Sequence, residues 1–309
     1  MKNLKGGVAV VTGGASGLGR AIAEEAARRG MKLVIADVEA GAMEQAVADL
    51  RAGGAEAIGV LTDVTSAASV EALAVATEQH FGPANLLFNN AGVASGGPIW
   101  ESTEKDWKWL FGVNVDGVAN GVRSFTPRML AAAAADAAYQ GCIVNTASMA
   151  GLVTAPGMGI YSVSKHAVLA LSECLYHDLD LVGPQVRAAV LCPFYVSTNI
   201  SQCHRNRPAD LVNDSGPTRS QLATQAISAL FLLLGHDLVV SLYTDDLAVA
   251  ALAGTLLLFA AAFQFPDGIQ VLSAGALRGL KDTRVPMWLA VAAYWGLGMP
   301  LGAGLGLGL

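Results

Sequence analysis

The sequence predicts a doubly wound α/β fold, a parallel sheet between layers of helix, followed by a hydrophobic all-α tail. Three observations carry this reading. Short apolar runs alternate with helical patterns through the first two hundred residues. A glycine-rich turn joins the first run to a helix. After about residue 225 charges become sparse, and Ala, Leu, Gly and Val dominate.

The first run, GVAVVT at 7–12, has no polar face, which suits a strand buried on both sides. TGGASGLGR at 12–20 follows, then the Ala-rich helical pattern AIAEEAARRG, then KLVIAD at 32–37. Strand, turn, helix and strand make one βαβ unit. The alternation continues with AEAIGVLTD (55–63), ANLLFNNAG (84–92), GCIVNTAS (141–148) and VRAAVLCP (186–193), with helical stretches between them. Such alternation builds a doubly wound sheet.

Gly13, Gly17 and Gly19 lie between strand and helix, where backbone N–H groups can meet a pyrophosphate at a helix N-terminus. Asp37 ends the second strand about twenty residues on, where a carboxylate binds both ribose hydroxyls. A carboxylate there repels a 2′-phosphate, and Val38 brings no positive charge to offset it. The expected cofactor is therefore NAD, with NADP less favoured. In YSVSK (161–165), Tyr161 and Lys165 are spaced i, i+4 and share a helix face. A free tyrosine, with a pKa near 10, is a poor base at neutral pH. A neighbouring ammonium favours the phenolate and lowers that value. The pair can then exchange a proton with an alcohol or carbonyl.

Bulk properties exclude other classes. The 309 residues carry a net charge of −6, against the basic face a nucleic-acid binder shows. Only 14% are charged and the mean hydropathy is +0.47, where soluble chains average about 25% charged. Cys142, Cys174, Cys192 and Cys203 form no CxxC pair and no metal-ligand spacing, which reads as reduced thiols in a cytoplasmic setting. The N-terminus MKNLKGGVAVVTGG does not read as a signal peptide.

Thr12, Gly13, Gly17 and Gly19 as TGxxxGxG, Asn89–Gly92 as NNAG, Asn114 in GVNVDG, Ser148 thirteen residues before Tyr161, and YSVSK occur in order. Over about residues 5–228 the chain resembles a classical short-chain dehydrogenase/reductase. The resemblance implies a Rossmann-like domain and a catalytic set of Asn114, Ser148, Tyr161 and Lys165. Tyr161 is then the general acid/base. Lys165 tunes it and holds the nicotinamide ribose. Ser148 donates to the substrate oxygen, and Asn114 anchors a water in a proton relay. Asp63 in LTDV matches an acidic residue after the fourth-strand-type turn that the family uses on the adenine. The implied cofactor-binding set is Thr12, Gly13, Ser16, Gly17, Leu18, Gly19, Asp37, Asp63, Val64, Asn90, Ala91, Gly92, Tyr161, Lys165, Pro193, Val196 and Thr198, with no metal. Pro193-Phe194 stands where the family usually has Pro-Gly, and Thr198 matches the position contacting the carboxamide. The substrate class implied is a small alcohol or ketone, and a homodimer through this domain is expected. Residues 203–221 occupy the variable lid, where Arg205 and Arg207 are read as solvated, with attraction of an anionic substrate as the alternative. Trp100, Trp107 and Trp109 are read as packing residues. Ser162, Ser164 and His166 receive no role.

The family completes its sheet with one more helix and a seventh strand, and neither is expected after 193. Instead 226–243 and 247–264 are apolar, and 287–309 is an uncharged run long enough to span a bilayer. Arg278, Lys281 and Arg284 place the loop between the longest runs on the cytoplasmic side. Gln264, Asp267, Gln270, Gly275, Leu277, Arg278, Gly279, Asp282, Thr283, Pro286, Tyr294, Trp295 and Pro300 carry a resemblance to late helices of a multidrug and toxic compound extrusion transporter. The chain reads as a fusion joined near Gln225–Leu230, with domains 1–228 and 229–309. The expected localisation is the membrane, with the first domain in the cytoplasm. A transport component and a non-functional fusion are the other readings.

Overall fold

The computed structural model describes residues 4–213, apart from 155, 156, 195 and 197. The expected spans, the positive loop, the join and the transporter-like residues lie outside the described residues. Among the described residues no helix is long and apolar enough to cross a membrane.

Among the described residues there are six strands and six α-helices. They run β1 (Val8–Thr12), α1 (Gly17–Arg28), β2 (Lys32–Asp37), α2 (Ala40–Ala52), β3 (Ala57–Leu61), α3 (Ala67–Phe81) and β4 (Leu86–Asn89). After them come α4 (Glu104–Phe111), α5 (Gly117–Ala135), β5 (Gly141–Thr146), α6 (Gly159–Val182) and β6 (Val186–Leu191). All six predicted strands form within the predicted runs. Asp63 follows the third strand, not a fourth, which corrects the expected placement.

The sheet is parallel, in the order β3-β2-β1-β4-β5-β6. Alternate residues of each strand face opposite layers. Val8 and Val10 pack with Val34, Leu73, Leu87, Phe125, Met129 and Ile143 on one face. Ala9 and Val11 pack with Leu33, Ile35, Ala23, Met43 and Leu50 on the other. Both faces of β1 are thus dry, the reason its sequence has no polar side. The outward face of β5 and β6 is less covered. Cys142 and Val144 are half-buried, and Arg187 and Ala189 are exposed.

Two features position the site. The strand order reverses between β1 and β4, so the chain leaves these two strands in opposite directions and opens a cleft at their carboxyl ends. Between α4 and α5 the helix widens into a π turn, Gly112–Asp116, which carries the buried Asn114. α4 itself starts from a capping box. Thr103 Oγ1 accepts from Asp106 N, and Asp106 Oδ2 accepts from Thr103 N.

Candidate active site

A cavity of about 860 Å³ fills the cleft at the strand reversal. One end is the glycine turn. Gly17 has φ +53°, a left-handed conformation, and a Cβ there would stand 3.1 Å from the Thr198 side chain. At Gly19 a Cβ would come within 2.0 Å of Gly13 O, so only glycine permits the close approach of turn to helix. The turn is tied to NNAG by hydrogen bonds. Asn90 N and Ala91 N donate to Thr12 Oγ1 at 2.9 and 3.1 Å, and Asn90 Nδ2 donates to Thr12 O and Gly13 O at 3.1 and 3.3 Å. Two stretches some 78 residues apart become one rim.

Asp37 sits where the sequence puts it, at the end of β2. Its Oδ2 accepts from Ala15 N at 3.0 Å and its Oδ1 from Glu39 N at 3.1 Å. Asp63 Oδ1 accepts from Thr65 N and Thr65 Oγ1, which folds its own turn at the cavity edge. Val64 is buried beneath it, and its carbonyl accepts from Asn120 Nδ2. Ser16, Leu18, Pro193, Val196 and Thr198 line the same cavity, as does Phe194, 80% exposed at the family's glycine position.

The other end holds Ser148, Tyr161 and Lys165 of the expected catalytic set, while Asn114 is fully buried. α6 presents Tyr161 and Lys165 one turn apart, and Ser148 follows β5. Ser148 Oγ accepts from Ala150 N at 3.1 Å. Lys165 is buried, and its Nζ donates to Thr146 O at 2.9 Å. Burial lowers the Lys165 pKa to about 8. The expected lowering of Tyr161 is not met. Burial raises the phenol, against a hydrogen bond with Ser148 that lowers it. Lys165 Nζ is engaged with Thr146 and stands 5.8 Å from the Tyr161 ring centroid, so it does not offset the loss of water around the phenol.

Asn114 is locked from both ends. Its Oδ1 accepts from Val93 N at 2.9 Å, and its Nδ2 donates to Val93 O at 2.9 Å and to Ser164 Oγ at 3.0 Å. Ser164 Oγ in turn donates to Tyr161 O at 2.8 Å. Ser164 therefore joins the π turn to the tyrosine helix, a link the sequence reading missed. Its place one residue before Lys165, on the buried side of α6, was the available signal.

The lid corrects two expectations. Arg207 is not solvated; its side chain is 6% exposed, and Nη1 donates to Asp106 Oδ1 at 2.7 Å. Arg205 Nη2 pairs with Glu39 Oε1 at 2.5 Å. Trp109 is buried as expected, with the Arg207 guanidinium 4.9 Å from its ring centroid and the His204 ring at 5.0 Å. Trp100, read as packing, is 83% exposed, because it falls on a short 3₁₀ turn ahead of α4 and not on the helix.

The cleft fits a dinucleotide. A Cβ at Gly13, Gly17 or Gly19 would meet neighbouring atoms, Ser16 caps α1 without using its side chain, and Asp37 adjoins the turn through its bond to Ala15 N.

Comparisons with known proteins agree with this geometry. Residues 7–209 match the short chain dehydrogenase family model, and residues 221–303 match the MatE model. A crystal structure of a short chain dehydrogenase/reductase from Burkholderia phymatum in complex with NAD is 53% identical, with a TM-score of 0.72, over 75% of this chain and 81% of that one. The CLA biosynthesis dehydrogenase/reductase of Lactiplantibacillus plantarum is 37% identical over 70% of this chain and 74% of its own length. The probable multidrug resistance protein NorM of Xanthomonas campestris is 81% identical over 82 residues, 26% of this chain. The chain spans 18% of the length of that protein. Six parallel strands in this order, a cleft at their reversal and a family match across 7–209 lead to one conclusion: the chain belongs to the short chain dehydrogenase family, and is a nicotinamide-dependent dehydrogenase/reductase.

Proposed function

We propose that the chain is an NAD-dependent oxidoreductase interconverting an alcohol and a carbonyl compound. The observation that carries this is the meeting of Ser148, Tyr161 and Lys165 on one wall of the cleft that the glycine turn and Asp37 enter from the other end. The nicotinamide, when bound, donates or accepts the hydride.

This chain's own residues do the rest. Ser148 Oγ donates to the substrate oxygen and orients it. Tyr161 delivers a proton to that oxygen, or removes one. Its raised pKa keeps the phenol protonated at neutral pH, as reduction of a carbonyl requires. Lys165, its pKa lowered to about 8 by burial, stays mostly protonated at neutral pH and would hold the nicotinamide ribose. Asn114, fixed by Val93 and Ser164, holds the π turn at the end of the relay. Asp37 supports NAD over NADP, because its carboxylate repels a 2′-phosphate. Asp63 and Val64 supply the adenine end, and Thr12, Gly13, Ser16, Gly17, Leu18, Gly19, Asn90, Ala91 and Gly92 the phosphate rim. Pro193, Val196 and Thr198, which line the same cavity, would hold the nicotinamide.

We further propose a boundary at 228/229, with 229–309 anchoring the domain to a bilayer and the first domain on the cytoplasmic side. Homodimerisation through the first domain is part of the same reading. The 81% identity to NorM over 82 residues favours membrane insertion; a transport role is the second reading for that segment.

The test uses the full chain in detergent. NADH binding is followed by fluorescence, and NAD reduction by absorbance over a panel of uncharged secondary alcohols. Saturable NADH binding with turnover of at least one alcohol is expected. A chain that binds neither NADH nor NADPH overturns the proposal.

A further inference from the structure

The fold brings a positive charge to the end of β2 that the local sequence does not contain. Arg205 comes from the lid, 166 residues beyond Glu39, and its Nη2 meets Glu39 Oε1 at 2.5 Å. Asn206 Nδ2 donates to the same oxygen at 2.7 Å. Glu39 N is in turn held by Asp37 Oδ1 at 3.1 Å. Glu39 therefore links Asp37 and Arg205, its backbone N–H held by Asp37 and its carboxylate by Arg205, where both Asp37 and Arg205 line the cleft. Arg205 is the one arginine among the described residues lining the cavity. Its Nη1 also donates to Asn199 O and Gln202 O, so the guanidinium is held against the lid's own backbone.

A guanidinium is the side chain best shaped to take a phosphate, through paired N–H donors. Placed beside Asp37 and left free, Arg205 would attract the 2′-phosphate that Asp37 repels. Glu39 occupies it instead. Hydrogen bonds from Asn206 and Arg205 hold the Glu39 carboxyl below its ordinary range, so it stays ionised at neutral pH and keeps its partner.

We propose that Glu39 determines cofactor choice by sequestering Arg205, so that discrimination against NADP rests on the Glu39–Arg205 pair as well as on Asp37. The proposal rests on the dinucleotide reading above. It explains why a carboxylate two residues past Asp37 reaches toward the lid and not into solvent. Arg205 becomes a latent phosphate receptor, held out of use by its partner.

The measurement is the ratio of the NADPH to the NADH dissociation constant, by fluorescence titration of the full chain in detergent. Four proteins are compared: the parent, Glu39→Gln, Arg205→Gln and the double variant. Glu39→Gln should lower the ratio by about two- to fivefold, the scale of one partly exposed ion contact, and added salt should shrink the change. The double variant should return to the parent ratio, because no guanidinium remains to be freed. Arg205→Gln alone should leave the ratio at or above the parent's. An unchanged ratio in Glu39→Gln overturns the proposal. So does a double variant that keeps the lowered ratio, since Glu39 would then act by its own charge. A lowered ratio in Arg205→Gln overturns it as well, even where Glu39→Gln does not fold. A parent that binds neither dinucleotide fails the underlying reading; a parent that prefers NADH beside an unchanged Glu39→Gln fails this proposal alone.

Discussion

Arg207 meets Asp106 across 101 residues of chain, Nη1 to Oδ1 at 2.7 Å, in a place where neither side chain is open to water. Asp106 also accepts from Thr103 N, Thr103 Oγ1 and Asn213 Nδ2. Burial pushes its carboxyl up, but the hydrogen bonds from Thr103, Arg207 and Asn213 together bring it below the ordinary range. Its folded pKa is therefore below the unfolded one. The stability it contributes is present above the unfolded value and lost as pH falls through the folded one.

Arg207→Ala would leave the Asp106 charge buried with fewer partners and strip the guanidinium from Trp109. The expected cost is about 3–5 kcal/mol, the range for breaking one side of a buried pair. Denaturant unfolding followed by tryptophan fluorescence checks it. A loss below about 1 kcal/mol, the surface-pair scale, would mean the pair is solvated after all.

On the proposed mechanism, Tyr161→Phe removes the group that hands a proton to the substrate oxygen. Turnover should fall at least about a hundredfold, the lower end for general acid/base catalysis, while NADH affinity stays within about twofold. Steady-state rates beside fluorescence titration separate the two. Near-parent turnover would remove Tyr161 from the mechanism.

Lys165 gives a pH-dependent stability. Its folded pKa is lowered to about 8 from an ordinary 10.5. Between these values the unfolded chain holds a proton the folded one has released, so the burden of the buried lysine is relieved as pH rises through that window. Lys165→Met should therefore compare most favourably with the parent near pH 7. Its relative stability should decline toward pH 10.5. Thermal unfolding at both pH values tests the sign, and a difference independent of pH contradicts it.

The full chain should pellet with membranes through high-salt and carbonate washes, with 226–243 leading outward, 247–277 returning and 287–309 leaving again. A chain ended at Ser228 should stay soluble or aggregate without lipid, its outer sheet edge uncovered. Monodisperse full-length protein in the soluble fraction would mean that 229–309 packs without a bilayer.

The strands and the glycine rim were legible because their causes are local. Val8–Thr12 is apolar on both faces, and the turn after it needs glycine where the backbone closes on itself at Gly19. The site's electrostatics were not legible. The Tyr161 phenol responds to burial, which YSVSK does not encode, more than to the lysine one turn away. Arg207 reads as a solvated lid residue because its partner, Asp106, lies in a different helix and shows only as a capping acid. Ser164 was in view inside YSVSK, but the residue it holds, Asn114, is 50 positions away.

The wide turn at Gly112–Asp116 lets α4 run on into α5 as one shaft that holds one residue more than a regular helix would. Ahead of it Trp109 and Leu110 face the lid; behind it Phe125 and Met129 face the sheet. A regular helix advances about 100° per residue, and the π turn accommodates one extra. Deleting one residue there would close the bulge to regular pitch and leave α4 and α5 in phase, but Asn114 would lose the position from which it meets Val93 and Ser164. The wide turn is thus a local seat for one buried amide, and a one-residue deletion within it should loosen that seat more than it disturbs the lid wall or the sheet layer.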